Sequence, residues 1–266
     1  MLPGKVLRLC RRIWQKGVCV CSGIDFASRS VRSKSFMNHS INIAIDGPAA
    51  GGKTTVARIL AKRLGLLYLD TGVMYRAAAW QALQLGIAPD DAEAVGSMAE
   101  KMDLVLEPDP ESSAGCRVLV GGKDITDILH APEVNAAVSK TAAVSRVRTD
   151  MVRRQREMAS KGGIVMAGRD ICTVVMPDAE FKYFLDASLE ERARRRFEDM
   201  KSRPGNTLTL EDIREQLAKR DYDDSHRADS PLVQAEGAVY IDCSTISAEE
   251  VAERICRDCR EASETK

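Results

Sequence analysis

Gly47, Gly52, Lys53 and Thr54 stand at the spacing GxxxxGK[ST] within IAIDGPAAGGKTT, residues 43–55. Residues of these types at this spacing grip phosphate. Glycines let successive backbone N–H groups curl around phosphate oxygens, and a helix opening at KTTVARILAKRL turns its positive end toward the same charge. Lys53 would reach the terminal phosphates and Thr54 would hold Mg²⁺. A chain of this length and composition offers the pattern by chance about once in a hundred. The competing reading is a glycine turn between strand and helix with Lys53 solvated.

The group that would receive a phosphate is a separate question. An acceptor bearing its own phosphate needs a second anionic pocket, and arginine suits it because the planar guanidinium forks onto phosphate oxygens. Arg76 opens the pattern after LDTGVMY, Arg169 and Asp170 follow GIVMAG, and Arg220 and Arg227 flank Asp224 in KRDYDDSHRADSPL. Each arginine alone reads as a surface ion pair ahead of a ligand contact. Their shared placement after strand ends and in polar turns favours an anion site for the group. Arg192, Arg195 and Arg196 recur at helical spacing, with Glu191 four residues before Arg195. This is either a solvated face held by Glu-to-Arg pairs or a basic lid with Pro204 and Gly205 at its tip. Phosphoryl transfer needs no general base, and His39, His130 and His226 suggest none. A kinase acting on a small alcohol and a regulatory nucleotide switch stay open, although the guanine-reading NKxD segment of such switches is absent.

These groups need a scaffold. INIAID, LLYLD, GIVMAG, FKYFLDA and AVYIDCS read as buried strands with helical stretches between most of them, the pattern of a parallel sheet with helices on both faces. Residues 102 to about 128 break the rhythm: DLVLEP and CRVLVGGKDIT, with a Gly-Gly turn, predict a small antiparallel insertion. The first 36 residues carry eight Lys or Arg against Asp25 alone, and the other 230 carry 31 basic and 38 acidic side chains, a net of −7. A net-acidic body argues against a nucleic-acid polymer as partner, and no apolar run approaches bilayer length. Eight scattered cysteines read as reduced thiols, Cys256 and Cys259 included. Within residues 1–40, Val6, Leu9, Cys10 and Ile13 oppose Lys5, Arg8, Arg12 and Lys16 on a helical wheel. That extension reads as an organelle transit segment, or as the product of a start assigned upstream of Met37.

Taken in order, IDGPAAGGKTT, YLDTGVMYR, VSKTAAVSRVR, GRDICTVVMPDAEFKYFLDAS, RDYDDSHRADSPL and VYIDCSTIS resemble the bacterial-type cytidylate kinases, a family of P-loop nucleoside monophosphate kinases. The resemblance runs from Ile41 to the C-terminal helix. It implies an α/β P-loop core spanning 41–266, a monophosphate-binding insertion near 80–145 and a helical lid near 192–210. It implies transfer of phosphate from ATP, with Mg²⁺, to CMP or dCMP, by a cytoplasmic monomer unless the extension directs import. Carried over by position, Gly47, Pro48, Ala49, Ala50, Gly51, Gly52, Lys53, Thr54 and Thr55 would hold ATP, with Arg192 and Arg195 from the lid. Thr71, Tyr75 and Arg76 would line the monophosphate pocket. Arg169 and Arg227 would join Arg76 around the acceptor phosphate, with Lys53 opposite. Arg220 and Asp224 would meet the sugar, and Ser139, Arg148 and Asp170 would read cytosine. The chain departs from the family at Cys172, where glycine is usual, and at Ala167, where an acid is frequent.

Overall fold

Short β-branched runs can be buried on both faces only if amphipathic helices flank them, and the chain supplies the two in alternation. The computed structural model describes residues 41–109, 111–201 and 207–264. The extension at 1–40 and the turn at Pro204 and Gly205 lie outside the described residues. The described elements in chain order are β1 (Asn42–Asp46), α1 (Lys53–Leu64), β2 (Leu67–Asp70), α2 (Gly72–Gln84), α3 (Ala92–Lys101), β3 (Leu104–Pro108), β4 (Cys116–Val120) and β5 (Lys123–Asp124). They continue with α4 (Pro132–Ala143), α5 (Ser145–Ala159), β6 (Ile164–Ala167), β7 (Phe181–Asp186), α6 (Leu189–Lys201), α7 (Leu210–His226), β8 (Val239–Asp242) and α8 (Ala248–Glu264).

Five strands form a parallel sheet in the order β2-β6-β1-β7-β8, and they are the five runs picked out from the sequence. Ile43, Ala44 and Ile45 of the central strand are fully buried, which is why that run shows no polar alternation. Ile43 and Ile45 face α1 and α8, packing with Val56, Leu60, Val251 and Ile255. Ala44 points the other way, into a cluster with Met74 and Ala78 of α2 and Met151 of α5. Cys256 and Cys259 are buried free thiols on the inner face of α8.

The second sheet is antiparallel, β3-β4-β5, with Leu106 opposite Val118 and a turn through Gly121 and Gly122, both at positive φ. α7 begins with a capping box in which Thr209 and Asp212 satisfy each other's backbone N–H groups. α6 and α7 set Ala193, Ile213 and Leu217 against Ala49 of the glycine loop. No helix among the described residues is long and apolar enough to cross a membrane. Parallel strands all deliver their carboxyl ends to one sheet edge, where such folds bind ligands. Asp46, Asp70 and the segment after Ala167 meet there.

Candidate active site

The chain leaves β1 at Gly47 with φ of 146°, and a Cβ there would lie 1.9 Å from the Leu185 carbonyl oxygen of β7. Only glycine lets the loop turn this close to the neighbouring strand. At its far end α1 starts on Lys53 with no acid in its first turn, leaving its free N–H groups to an incoming anion. Lys53 is buried, and its ammonium donates to the Pro48 carbonyl oxygen at 2.6 Å. Burial foremost, and then the positive charge of Arg169, holds its pKa well below that of an ordinary lysine.

The Thr54 hydroxyl donates to Asp70 Oδ2 at 3.2 Å, while Asp70 Oδ1 accepts the Gly72 N–H at 2.9 Å. These are hard oxygen donors at the end of β2. Among the described residues no group of three or more His, Cys, Asp or Glu side chains could hold a metal. Thr54 and Asp70 offer the hard oxygens that Mg²⁺ takes, and nucleotide phosphates and water would complete such a shell.

Across the cleft one carboxylate organises three arginines. Asp224 Oδ2 accepts from Arg169 Nε at 2.8 Å and lies 3.9 Å from Arg220, and its Oδ1 lies 3.6 Å from Arg227. Burial pushes the Asp224 carboxyl up, but the surrounding arginines outweigh it and hold the pKa below the usual carboxylate value. Arg76 reaches the same region from α2. Its Nη1 donates to Asn135 Oδ1 at 2.5 Å and to the Leu129 carbonyl at 3.3 Å. Burial, then repulsion from Arg220, pushes its pKa down to about 10. Around the cleft Lys53 and seven arginines face four aspartates, which leaves the lining net positive.

Farther along, Arg148 and Asp170 form a buried ion pair. Arg148 Nη1 also donates to the Ala142 carbonyl at 3.2 Å, and its guanidinium lies 5.3 Å from the centre of the Tyr75 ring. Burial raises the Tyr75 phenol to about 12. Arg148 Nε is fully buried without a hydrogen-bond partner, and the buried Tyr75 hydroxyl lies toward Gln155. Thr71 gives its hydroxyl to the Ala167 carbonyl at 3.0 Å and ties β2 to β6. Ala167 is opposite Asp70 in the register of those strands. The carboxylate missing at 167 therefore has a neighbour at the same level.

The turn bearing Arg169 and Asp170 is fixed by a residue the sequence reading passed over. Asp46, fully buried, accepts the Ile171 and Cys172 N–H groups at 2.8 Å each, which joins the strand feeding the glycine loop to the turn opposite it. Burial raises its pKa. Cys172 is accommodated, its Sγ lying 3.6 Å from the Tyr183 carbonyl oxygen.

A cleft of about 600 Å³ collects Ala49, Ala50, Gly51, Gly52, Lys53, Thr54, Thr55, Thr71, Tyr75, Arg76, Ser139, Arg148, Arg169, Asp170, Arg195, Arg220, Asp224 and Arg227. Of the residues singled out from the sequence, Gly47, Pro48 and Arg192 do not line it. Arg192 is buried beneath the loop, donating to the carbonyls of Ala187 at 2.9 Å and Ala49 at 3.2 Å and pairing with Asp221 at 2.5 Å. A helical wheel cannot tell this inward strut from a lid arginine. Arg195 is the one that borders the loop, anchored by Glu191 at 2.7 Å. A second groove of about 270 Å³ continues from Gly52 and Thr55 past Arg195 to Cys243, Ile246 and Val251. Asp70 and Cys243, at or just after strand ends, carried a usable signal in that position. Asn135 carried none.

Residues 43–261 match the family model described as Cytidylate kinase. The Cytidylate kinase of Geobacillus sp. (strain WCH70) is 49% identical over 219 residues, covering 82% of this chain and 96% of that protein. That of Desulfitobacterium hafniense (strain Y51) is 45% identical over 219 residues, covering 82% and 92%. A Bifunctional pantoate ligase/cytidylate kinase from Synechococcus sp. (strain JA-3-3Ab) is 46% identical over 215 residues, covering 81% of this chain and 40% of that longer protein.

Proposed function

The chain belongs to the cytidylate kinase family, and we propose that its cleft carries out that family's reaction, moving the γ-phosphate of ATP to CMP or dCMP and releasing ADP with CDP or dCDP. The observation carrying this reading is one cleft with a phosphate loop on one side and Arg76, Arg169, Arg220 and Arg227 on the other. A small alcohol would give four arginines nothing to neutralise.

The loop N–H groups and the start of α1 hold the donor triphosphate, and the groove between Arg195, Ile246 and Val251 suits the flat apolar donor base. Thr54, with Asp70 behind it, would hold a Mg²⁺, which would supply charge neutralisation at the donor phosphates. Arg76, Arg169 and Arg227 hold the acceptor phosphate in line with the γ-phosphorus, and Lys53 adds positive charge where the equatorial oxygens gain negative charge. Positioning and exclusion of water carry the catalysis, so no side chain has to remove a proton.

Cytosine presents an N4 amino donor where uracil presents an acceptor. The Asp170 carboxylate, oriented by Arg148, accepts from the first and repels the second, with Ser139 at the base edge. Arg220 and Asp224 meet the sugar. The antiparallel sheet with α3 and α4 forms the monophosphate-binding insertion near 80–145, and α6 with the start of α7 forms a lid near 192–210. The unit of function in this reading is a monomer. We assign the reaction to the cytoplasm, with organelle import as the alternative if the extension is a transit segment; mass spectrometry of the native N-terminus separates the two.

Turnover of ATP with CMP, dCMP, UMP and AMP tests the assignment. ADP formed rapidly with CMP or dCMP and far more slowly with UMP is expected, and equal turnover of UMP and CMP would overturn the role given to Asp170.

A further inference from the structure

Three of the four arginines facing the phosphate loop share the Asp224 carboxylate, while Arg76 is held by neutral oxygens alone. Both of its hydrogen bonds leave from Nη1, and its remaining N–H groups bond to no described residue. One edge of the fork is thereby fastened, and the other is left for a second acceptor.

The fastening is directional. The Asn135 amide nitrogen donates to the carbonyls of His130 at 2.6 Å and Ala131 at 3.1 Å. A reversed amide would set its oxygen against two carbonyl oxygens, so Oδ1 must face Arg76. The chemistry of the partners fixes this orientation. A neutral acceptor adds no negative charge of its own beside Arg76, whose nearest opposing charge is Asp70, to which it is not bonded, whereas a carboxylate at the same place would compete with an incoming phosphate.

We propose that Asn135 is a positioning residue that aims the Arg76 guanidinium at the acceptor phosphate, an inference that rests on the assignment of Arg76 to that phosphate. Asn135 and Ser139 both stand on α4, so the helix at the base end of the cleft also aims the phosphate clamp. A ligand without a phosphate uses the base contacts but not the clamp. Binding of CMP and of cytidine, each titrated by NMR, therefore separates positioning from a general disturbance of α4.

Asn135→Ala is expected to weaken CMP about tenfold, as befits a lost hydrogen bond to a charged group, and to raise the KM for CMP more than it lowers kcat. Cytidine binding should change less than about twofold. Asn135→Asp should weaken CMP further at low salt, with the excess fading as salt screens the new charge. Equal weakening of CMP and cytidine, or unchanged CMP binding, would overturn the proposal. Arg76→Ala distinguishes the two ways of failing. If it too leaves the preference for CMP over cytidine intact, the assignment of Arg76 falls and the inference with it. If it abolishes that preference while Asn135→Ala does not, only the role of Asn135 falls.

Discussion

Replacing Asp170 with alanine removes half of an ion pair whose side chains are 4% and 5% exposed. The Arg148 cation left behind keeps the Ala142 carbonyl at 3.2 Å and the face of Tyr75 at 5.3 Å. Neither replaces a carboxylate. Stranding one partner of a buried pair costs about 3–5 kcal/mol. The residual contacts of Arg148 and relief of the repulsion that Asp170 exerts on Asp46 lower the cost, while Arg148 facing Arg227 without Asp170 between their charges raises it, which leaves about 3 kcal/mol as the least loss expected. A loss of about 3 kcal/mol in a domain of this size lowers the melting temperature by about 6–12 °C. Removing both charges in Arg148→Met/Asp170→Ala eliminates the stranded cation, so the double variant should melt well above the single one. Both variants should lose most CMP turnover and narrow the CMP-to-UMP ratio, because each lacks the carboxylate that accepts from N4. Scanning calorimetry of the wild type and of Asp170→Ala, Arg148→Met and the double variant gives the full cycle. A single Asp170→Ala variant melting within about 2 °C of the wild type, or a double variant no more stable than that single one, would refute the reasoning.

Lys53 has its pKa depressed by burial and by Arg169, and a bound triphosphate raises it again, so ATP binding should take up a proton at pH values between the depressed value and the ordinary 10.5. Calorimetric titration in buffers of different ionisation enthalpy should show uptake that Lys53→Met abolishes, and Lys53→Met should lose orders of magnitude in turnover with its fold intact. Gly47→Ala would drive a methyl group to 1.9 Å from the Leu185 oxygen; equilibrium binding of an ATP analogue should weaken at least tenfold, and unchanged affinity would contradict the observed loop path. Asp224, with its carboxyl held below the unfolded value of about 3.9, contributes stability that is fully present above that value and lost as pH falls through the lower, folded one. The gap in melting temperature between the wild type and Asp224→Asn should hold from neutral pH down to about pH 5 and shrink as the pH falls below about 4, and a gap independent of pH would remove this linkage.

The glycine loop was legible from sequence because its chemistry is local. Gly47, Gly52, Lys53 and Thr54 act through contiguous backbone and one helix start, so their spacing is already their geometry. The five parallel strands were legible for a similar reason, since burial on both faces writes an unbroken apolar run such as residues 43–45 into the chain. The arginines could be named, but their duties could not be separated. Arg192 and Arg195 have the same residue type on the same helix, yet one is buried under Ala49 and the other borders the groove. Only packing decided which. Asp46 and Asn135 stayed silent because their partners are distant in sequence: Asp46 serves Ile171 and Cys172, 125 and 126 positions away, and Asn135 meets Arg76 across 59. The sequence by itself determined the donor loop, the strands and the inventory of charges. The tertiary structure alone decided which charges share a carboxylate, which arginine is held by neutral oxygens, and which carboxylate aims the turn that bears Asp170. A hydrogen bond between remote segments exists only once the core has brought their backbones together, and it leaves no periodicity or spacing in the chain to be read beforehand.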